Sequence, residues 1–361
     1  MRVGCGAARK RTIPSLARAI AAVLCFGAVL MSYGGGASAA QQAMGSSTSE
    51  NPSPGCRAAA ATPGESTLMF SSGGTSGTYI EDVPSPRTDK AAPVVIDLHG
   101  YLDTASLQNS VSGMGSYGQH HGFVTITPQI SEGGESRWAY GPESTDITYL
   151  GNLLTHVEGS LCVDERRVFV TGLSMGSFTT SAIACEMAGR IAAVAPVSGL
   201  QAFPWCKPAR AVPVVAFQGT ADPFVSYSGG WASEGLKLPA PSDPSITIAQ
   251  ELKTDPTSSD NLQPESIPTQ VATWAKRNGC GPKPTSNRIA FDVTRTTYPC
   301  ATDRSVVLYV IADGGHTWPG GPPILPASIV GRTTQSISAD QIIWSFFEAH
   351  PLKGHLVQTT T

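Results

Sequence analysis

The sequence predicts a doubly wound α/β fold, with a mostly parallel central sheet flanked by helices on both faces. Two observations carry this. Short, almost wholly apolar runs recur along the chain, as strands buried on both faces of a parallel sheet require. Segments of helical length alternate with them, which is the pattern of βα units. An apolar fraction of 41 % is ample for a core, although only 14 % of the 361 residues are charged and the chain holds 38 glycines and 28 prolines. Low charge and abundant turn residues describe a loop-rich globular chain rather than a disordered one.

Arg9, Lys10, Arg11 and Arg18 precede an apolar run from Ala19 to Met31, and small residues then lead to Ala37-Ser38-Ala39. That order is the signature of a secretory leader, so residues 1–39 are expected to be a signal peptide cut after Ala39. Thirteen apolar residues rise only about 20 Å as a helix, short of the ~30 Å hydrocarbon core, so no permanent membrane anchor is expected. Residues 40–66 are rich in Ser, Ala, Pro and Gly and read as a flexible linker held at most by Cys56.

The folded domain is expected over 67–351, with a C-terminal tail at 352–361. Thr67–Phe70 and Gly77–Val83 open it as strands. Apolar strands follow at Pro93–Leu98, Phe123–Thr127, Val168–Thr171, Ile191–Val197, Val212–Gln218 and Val306–Ile311. Helices are expected at Thr104–His120, Thr145–Glu158, Met175–Met187, Ile267–Asn278 and Ser338–His350. A proline-rich insertion at about 231–266 breaks the alternation, and is either a lid or ordered surface excursion, or a disordered insertion.

Five of the 24 cations lie in the first 39 residues, which hold no acid, so the remainder carries 19 cations against 27 acids. That balance excludes a nucleic-acid footprint. Six cysteines remain beyond the leader, an even number that suggests three disulfides in an oxidising compartment. Cys280 and Cys300 flank a short excursion that a bridge would close, whereas Cys56, Cys162, Cys185 and Cys206 have no preferred pairing. No C-x-x-C spacing or histidine cluster is present, so no metal is expected.

The strand Val168–Thr171 runs into Gly172-Leu173-Ser174-Met175-Gly176 and then a helix. G-x-S-x-G has meaning in that strand–turn–helix context: the turn is strained, the glycines tolerate the crowding, and Ser174 projects above the sheet as a nucleophile. A serine nucleophile needs a base, and the base an orienting acid, in the chain order Ser, Asp, His. The strand Val212–Gln218 leads to Gly219-Thr220-Ala221-Asp222, and the strand Val306–Ile311 leads to Asp313-Gly314-Gly315-His316. Asp222 as acid and His316 as base satisfy both order and placement. Asp313 is a second acid by type, but lies only three residues before His316. His99, His120, His121, His156, His350 and His355 are read as structural or solvated.

The helix starting at Met175 points its positive end at a developing oxyanion, so the Met175 backbone N–H is one expected oxyanion donor and that of Tyr101, after Leu98-His99-Gly100, is the other. Trp318 stands two residues from His316, either as a substrate contact or as a structural plug; Trp138 and Trp231 are more distant candidates.

Asp97-Leu98-His99-Gly100-Tyr101, Gly122-Phe123-Val124 to Pro128-Gln129, Asp164 to Gly176, Arg190 to Gly199 and Gly314-Gly315-His316-Thr317-Trp318-Pro319-Gly320-Gly321 together resemble the secreted polyhydroxybutyrate depolymerase and feruloyl or acetylxylan esterase group of α/β-hydrolases. The resemblance runs from about Tyr79 to Pro351. It implies an extracellular serine esterase with Ser174, Asp222 and His316 as its triad and an ester substrate as its partner. No cofactor, nucleic acid or second subunit is expected. Three departures stand out: Ser177 in place of a frequent Gly, Gln218 in place of the usual His before the acid loop, and the length of the insertion. An acyltransferase or peptidase would use the same triad, and a non-catalytic exported binding protein is a further alternative.

Overall fold

The computed structural model describes residues 50–58, 61–85, 90–130, 136–258 and 261–353. The leader read at 1–39 and nearly all of the tail lie outside them. The described strands are β1 (Gly64–Ser72), β2 (Thr75–Val83), β3 (Ala92–Leu98), β4 (Val124–Ile130), β5 (Val163–Leu173), β6 (Ala193–Val197), β7 (Val214–Gly219), β8 (Thr285–Ala290), β9 (Val293–Thr297) and β10 (Val306–Ile311). They form one sheet in the order β1-β2-β4-β3-β5-β6-β7-β10-β9-β8. The six central strands β4, β3, β5, β6, β7 and β10 are parallel, and antiparallel strands extend each edge.

The apolar runs are buried on both faces because alternate residues enter different cores. In β3, Val94, Ile96 and Leu98 pack on one side while Val95 packs on the other. Helices α3 (Thr145–Ser160), α4 (Met175–Glu186) and α6 (Ile267–Arg277) cover the first face. The second is covered by α1 (Ala105–Ser112), α2 (Met114–His121) and α8 (Ala339–Glu348), whose Ile343, Trp344 and Phe347 meet Phe169 and Phe123. Two short helices, α5 (Ile248–Thr254) and α7 (Ala327–Val330), lie outside these layers. Among the described residues no helix is long and apolar enough to cross a membrane.

Three details differ from the sequence reading, and one alternative it left open is narrowed. The helix expected over Thr104–His120 is two helices, broken at Gly113 with φ 71°, a left-handed conformation that glycine adopts without penalty. The excursion between Cys280 and Cys300 contains the β8–β9 hairpin, hidden because β8 is almost wholly exposed and lacks an apolar alternation. Residues 231–266 are, where described, an ordered excursion: Val225 bridges Trp231, Pro239 bridges Thr247, and a Thr247–Gln250 capping box starts α5. Finally, the stretch read as a linker includes the start of β1 and a fastened segment at 50–58.

That segment is held by polar contacts, which explains why no apolar anchor revealed it. Ser53 Oγ donates to the Leu161 carbonyl and accepts from the Val163 N–H, at 2.8 and 3.1 Å. Gly55 lies so close to the Leu161 backbone that any side chain there would overlap it. The disulfides are Cys56–Cys162, Cys185–Cys206 and Cys280–Cys300. The first closes a sequence separation of 106 residues. Replacing both Cys56 and Cys162 by Ser is expected to cost about 2–4 kcal/mol in urea unfolding. An unchanged midpoint would show that the segment contributes nothing to stability.

Candidate active site

The parallel order reverses at β3, since β4 lies on one side of it and β5 on the other. Such a switch point opens a crevice at the carboxyl ends of the strands. Ser174 sits there, between the end of β5 and the first residue of α4, with φ 60° and ψ −123°. A positive φ is strained for any residue bearing a side chain, and it persists only where the surroundings impose it. Here they do. A Cβ on either Gly172 or Gly176 would overlap the Leu98 carbonyl, so the backbone of the turn is pressed against the end of β3. A Cβ on Gly100 would lie 3.3 Å from Ser174 Cβ, which places the loop after β3 directly beside the serine.

That loop is fixed by two buried rings. His99 Nδ1 lies 2.8 Å from the Gly100 carbonyl, and Trp138 Nε1 donates to the His99 carbonyl at 2.9 Å while its ring packs on the imidazole. Burial pushes His99 down to about 4, so the ring is neutral, and its single N–H belongs on the nitrogen that faces a carbonyl. The Trp138 backbone N–H donates to Met175 Sδ at 3.3 Å, tying the same loop system to the first residue of α4.

Asp222 follows β7 and is buried. Its Oδ1 accepts the Phe224 and Val225 backbone N–H groups, both at 2.9 Å. Its Oδ2 accepts Gln218 Nε2 at 2.9 Å and faces His316 Nδ1 at 2.8 Å. The pairing spans 94 residues of chain. It is made possible by contact between loops: Gly219 has no space for a side chain against the Gly314 carbonyl, and Ala221 N–H donates to that same carbonyl at 2.9 Å. The His316 N–H is held by the Val330 carbonyl at 2.6 Å. Asp313 is exposed, with its backbone N–H on Thr220 Oγ1, and His316 Nδ1 points to Asp222 instead.

Of the two roles read for Trp318, its surroundings fit the structural plug. Its ring is only 1 % exposed, packed in the α8-side core, and Nε1 donates to Asp340 Oδ1 at 2.7 Å. The turn that follows is bound to the start of α8 through Ala339 N–H and the Pro319 carbonyl, which draws the indole inward. Trp138 is buried against His99, and Trp231 meets Phe178 edge-on. Gln218, noted from the sequence only as a departure from the family pattern, contacts Asp222 directly. A cavity of about 680 Å³ adjoins Trp138, walled by Tyr140, Phe203 and Trp205 on one side and by Pro241 and Gln263 of the excursion on the other. Among the described residues no group of three or more His, Cys, Asp or Glu could hold a metal.

The geometry can be set beside known proteins. An acetyl xylan esterase from Aspergillus awamori superposes with a TM-score of 0.53 over 79 % of this chain and 99 % of that one, at 15 % identity. The fold is that of the α/β-hydrolases. By sequence, the chain is 28 % identical over 241 residues to feruloyl esterase B of Piromyces equi, covering 63 % of this chain and 40 % of that protein. It is 25 % identical over 276 residues to the putative esterase NocK of Nocardia uniformis subsp. tsuyamanensis, covering 70 % and 73 %. A shorter match of 116 residues, at 32 % identity, is to poly(3-hydroxyalkanoate) depolymerase C of Paucimonas lemoignei and covers 30 % and 28 %. The chain thus spans well under half of the feruloyl esterase it matches. No protein-family model matches it.

In this fold, Trp318→Phe is expected to lower stability by about 1–3 kcal/mol through loss of a buried charge-assisted hydrogen bond, with KM unchanged. A raised KM at unchanged stability would return Trp318 to the substrate side. Asp97, the β3 residue two before His99, is fully buried and accepts Gln108 Nε2 at 2.7 Å and Ser112 Oγ at 2.6 Å. Burial, reinforced by Asp340 and Asp103, pushes its carboxyl up to about 7. Between about pH 4 and pH 7 the unfolded chain therefore loses this proton while the folded chain keeps it, so stability falls as pH rises through that window. Asp97→Asn is expected to flatten this part of the stability–pH curve, and an unaltered slope would show that Asp97 is not its source.

Proposed function

We propose that this protein is an exported serine esterase that hydrolyses carboxylic esters through an acyl-enzyme, with Ser174 as nucleophile, His316 as base and Asp222 as the acid that orients it. The observation that carries this reading is the 2.8 Å contact of His316 Nδ1 with the buried Asp222 carboxylate, at the same carboxyl ends of the parallel strands as a serine held at positive φ. The names of the relatives support the reaction class. Three disulfides and a leader at residues 1–39 support export.

In the first step Ser174 Oγ bonds to the ester carbonyl carbon as its proton passes to His316 Nε2. The carbonyl electron pair moves to oxygen, and the Met175 and Tyr101 N–H groups stabilise the charge; losing one such donor typically costs about 10²–10³ in rate. Collapse of the tetrahedral species breaks the ester C–O bond, and the leaving alkoxide takes the proton from His316. Water then repeats the sequence, giving its proton to His316 and its oxygen to the acyl carbon, and Ser174 departs with the proton restored. Asp222 holds the imidazole tautomer and stabilises its charge throughout. All five groups belong to the chain, and the reading calls on no cofactor. The substrates that fit are esters of polysaccharide-linked feruloyl or acetyl groups, or hydroxyalkanoate oligomers.

Ser174→Ala is expected to lower kcat on p-nitrophenyl acetate by about 10⁴-fold or more and to abolish labelling by a fluorophosphonate probe. Equal labelling of wild type and Ser174→Ala would overturn the assignment.

A further inference from the structure

Gln218 lies in β7, one residue before its end, and is only 1 % exposed. Its amide nitrogen donates twice: to Asp222 Oδ2 at 2.9 Å and to the Val225 carbonyl at 3.2 Å. The Val225 N–H in turn donates to Asp222 Oδ1 at 2.9 Å. Gln218 and the Val225 peptide therefore close a ring that grips both oxygens of one carboxylate. Rotation of the carboxylate about its Cβ–Cγ bond would break the two ends of that ring together. The amide orientation is settled by its neighbours, because exchanging oxygen for nitrogen would set a carbonyl against both a carboxylate and another carbonyl. Gln218 Oε1 is left buried without a hydrogen-bond partner, an unfavourable arrangement retained alongside these two donations.

Oδ2 is also the oxygen that His316 Nδ1 faces. We propose that Gln218 is a positioning residue of the triad, whose uncharged N–H donor fixes the Asp222 carboxylate so that Oδ2 stays aimed at His316. This rests on the serine-esterase reading of Ser174, Asp222 and His316. An amide suits the task because it donates without changing charge as Asp222 and His316, the titratable groups it adjoins, go through the reaction. Val225 also bridges Trp231, so the ring sits at the root of the excursion and links its first turn to the acid loop.

The test is steady-state kinetics on p-nitrophenyl acetate with Gln218→Met, which keeps length and bulk but removes both donors, and with Gln218→Glu. For Gln218→Met, kcat is expected to fall about 10–100-fold with KM within twofold and with the circular-dichroism spectrum and unfolding midpoint close to wild type. Gln218→Glu places a second carboxyl against Oδ2, and it donates only when protonated. Its kcat relative to wild type at the same pH is therefore expected to rise as pH falls from 8 to 5. Gln218→His, which restores an N–H donor, is expected to recover at least tenfold of the Met variant's loss where that loss is 30-fold or more, and otherwise to come within threefold of wild type. A Gln218→Met enzyme with wild-type kcat, a loss that only tracks the unfolded fraction, a pH-independent ratio for Gln218→Glu or no recovery in Gln218→His would overturn the proposal. Failure of the serine-esterase reading looks different: wild type itself would then escape fluorophosphonate labelling.

Discussion

The close pass of β3 against the turn after β5 is the constraint on which the rest of the site depends. Gly172 and Gly176 leave no space between that turn and the Leu98 carbonyl, and Ser174 is driven to φ 60° as a result. Strain of this kind costs about 1–3 kcal/mol and must be offset elsewhere. The offset lies in the core on either side, since every residue of α4 from Met175 to Cys185 is buried and β3 from Pro93 to Leu98 is buried too. The same contact brings Gly100 beside the serine.

Farther along the sheet, backbone packing rather than side-chain attraction brings Asp222 to His316. The loops after β7 and β10 touch through Gly219 and Gly314, and the histidine loop is closed from behind by Val330 and Arg332. Once those backbones interlock, Asp222 and His316 have little freedom left to lose when they pair, so the contact forms at small entropic cost. The groups behind them are neutral donors or buried rings. His99 is kept neutral by burial, and Trp138 and Trp318 spend their N–H groups on fixed acceptors. They set the shape of the site without competing for protons with His316.

Legibility followed burial. The central strands were readable because a strand covered on both faces must be apolar throughout, and β6 and β7 are buried at every position. The edge hairpin of β8 and β9 was not, because residues such as Ser286, Asn287 and Arg288 face solvent and leave no period-two pattern. The 50–58 segment escaped notice for a related reason, since Asn51 and Ser53 join the domain through hydrogen bonds that composition does not report. In Trp318, residue type and proximity to His316 suggested contact with substrate. Which way a large ring turns is decided by the acceptor available to its N–H, and Asp340 on α8 supplies one in the core.

From the sequence alone came the α/β class, the strand–turn–helix around Ser174 and the order in which Ser174, Asp222 and His316 occur, because periodicity, glycine placement and chain order are local properties. The tertiary structure decided what depends on neighbours distant in sequence: the hydrogen-bond partners around Asp222, the pairing of Cys56 with Cys162 and Cys185 with Cys206, the inward turn of Trp318 and the grip of Gln218 on Asp222. The physical reason is the same in each case. A hydrogen bond, a disulfide or a buried ring is selected by what lies within a few ångströms in space, and only the closed sheet brings those atoms together.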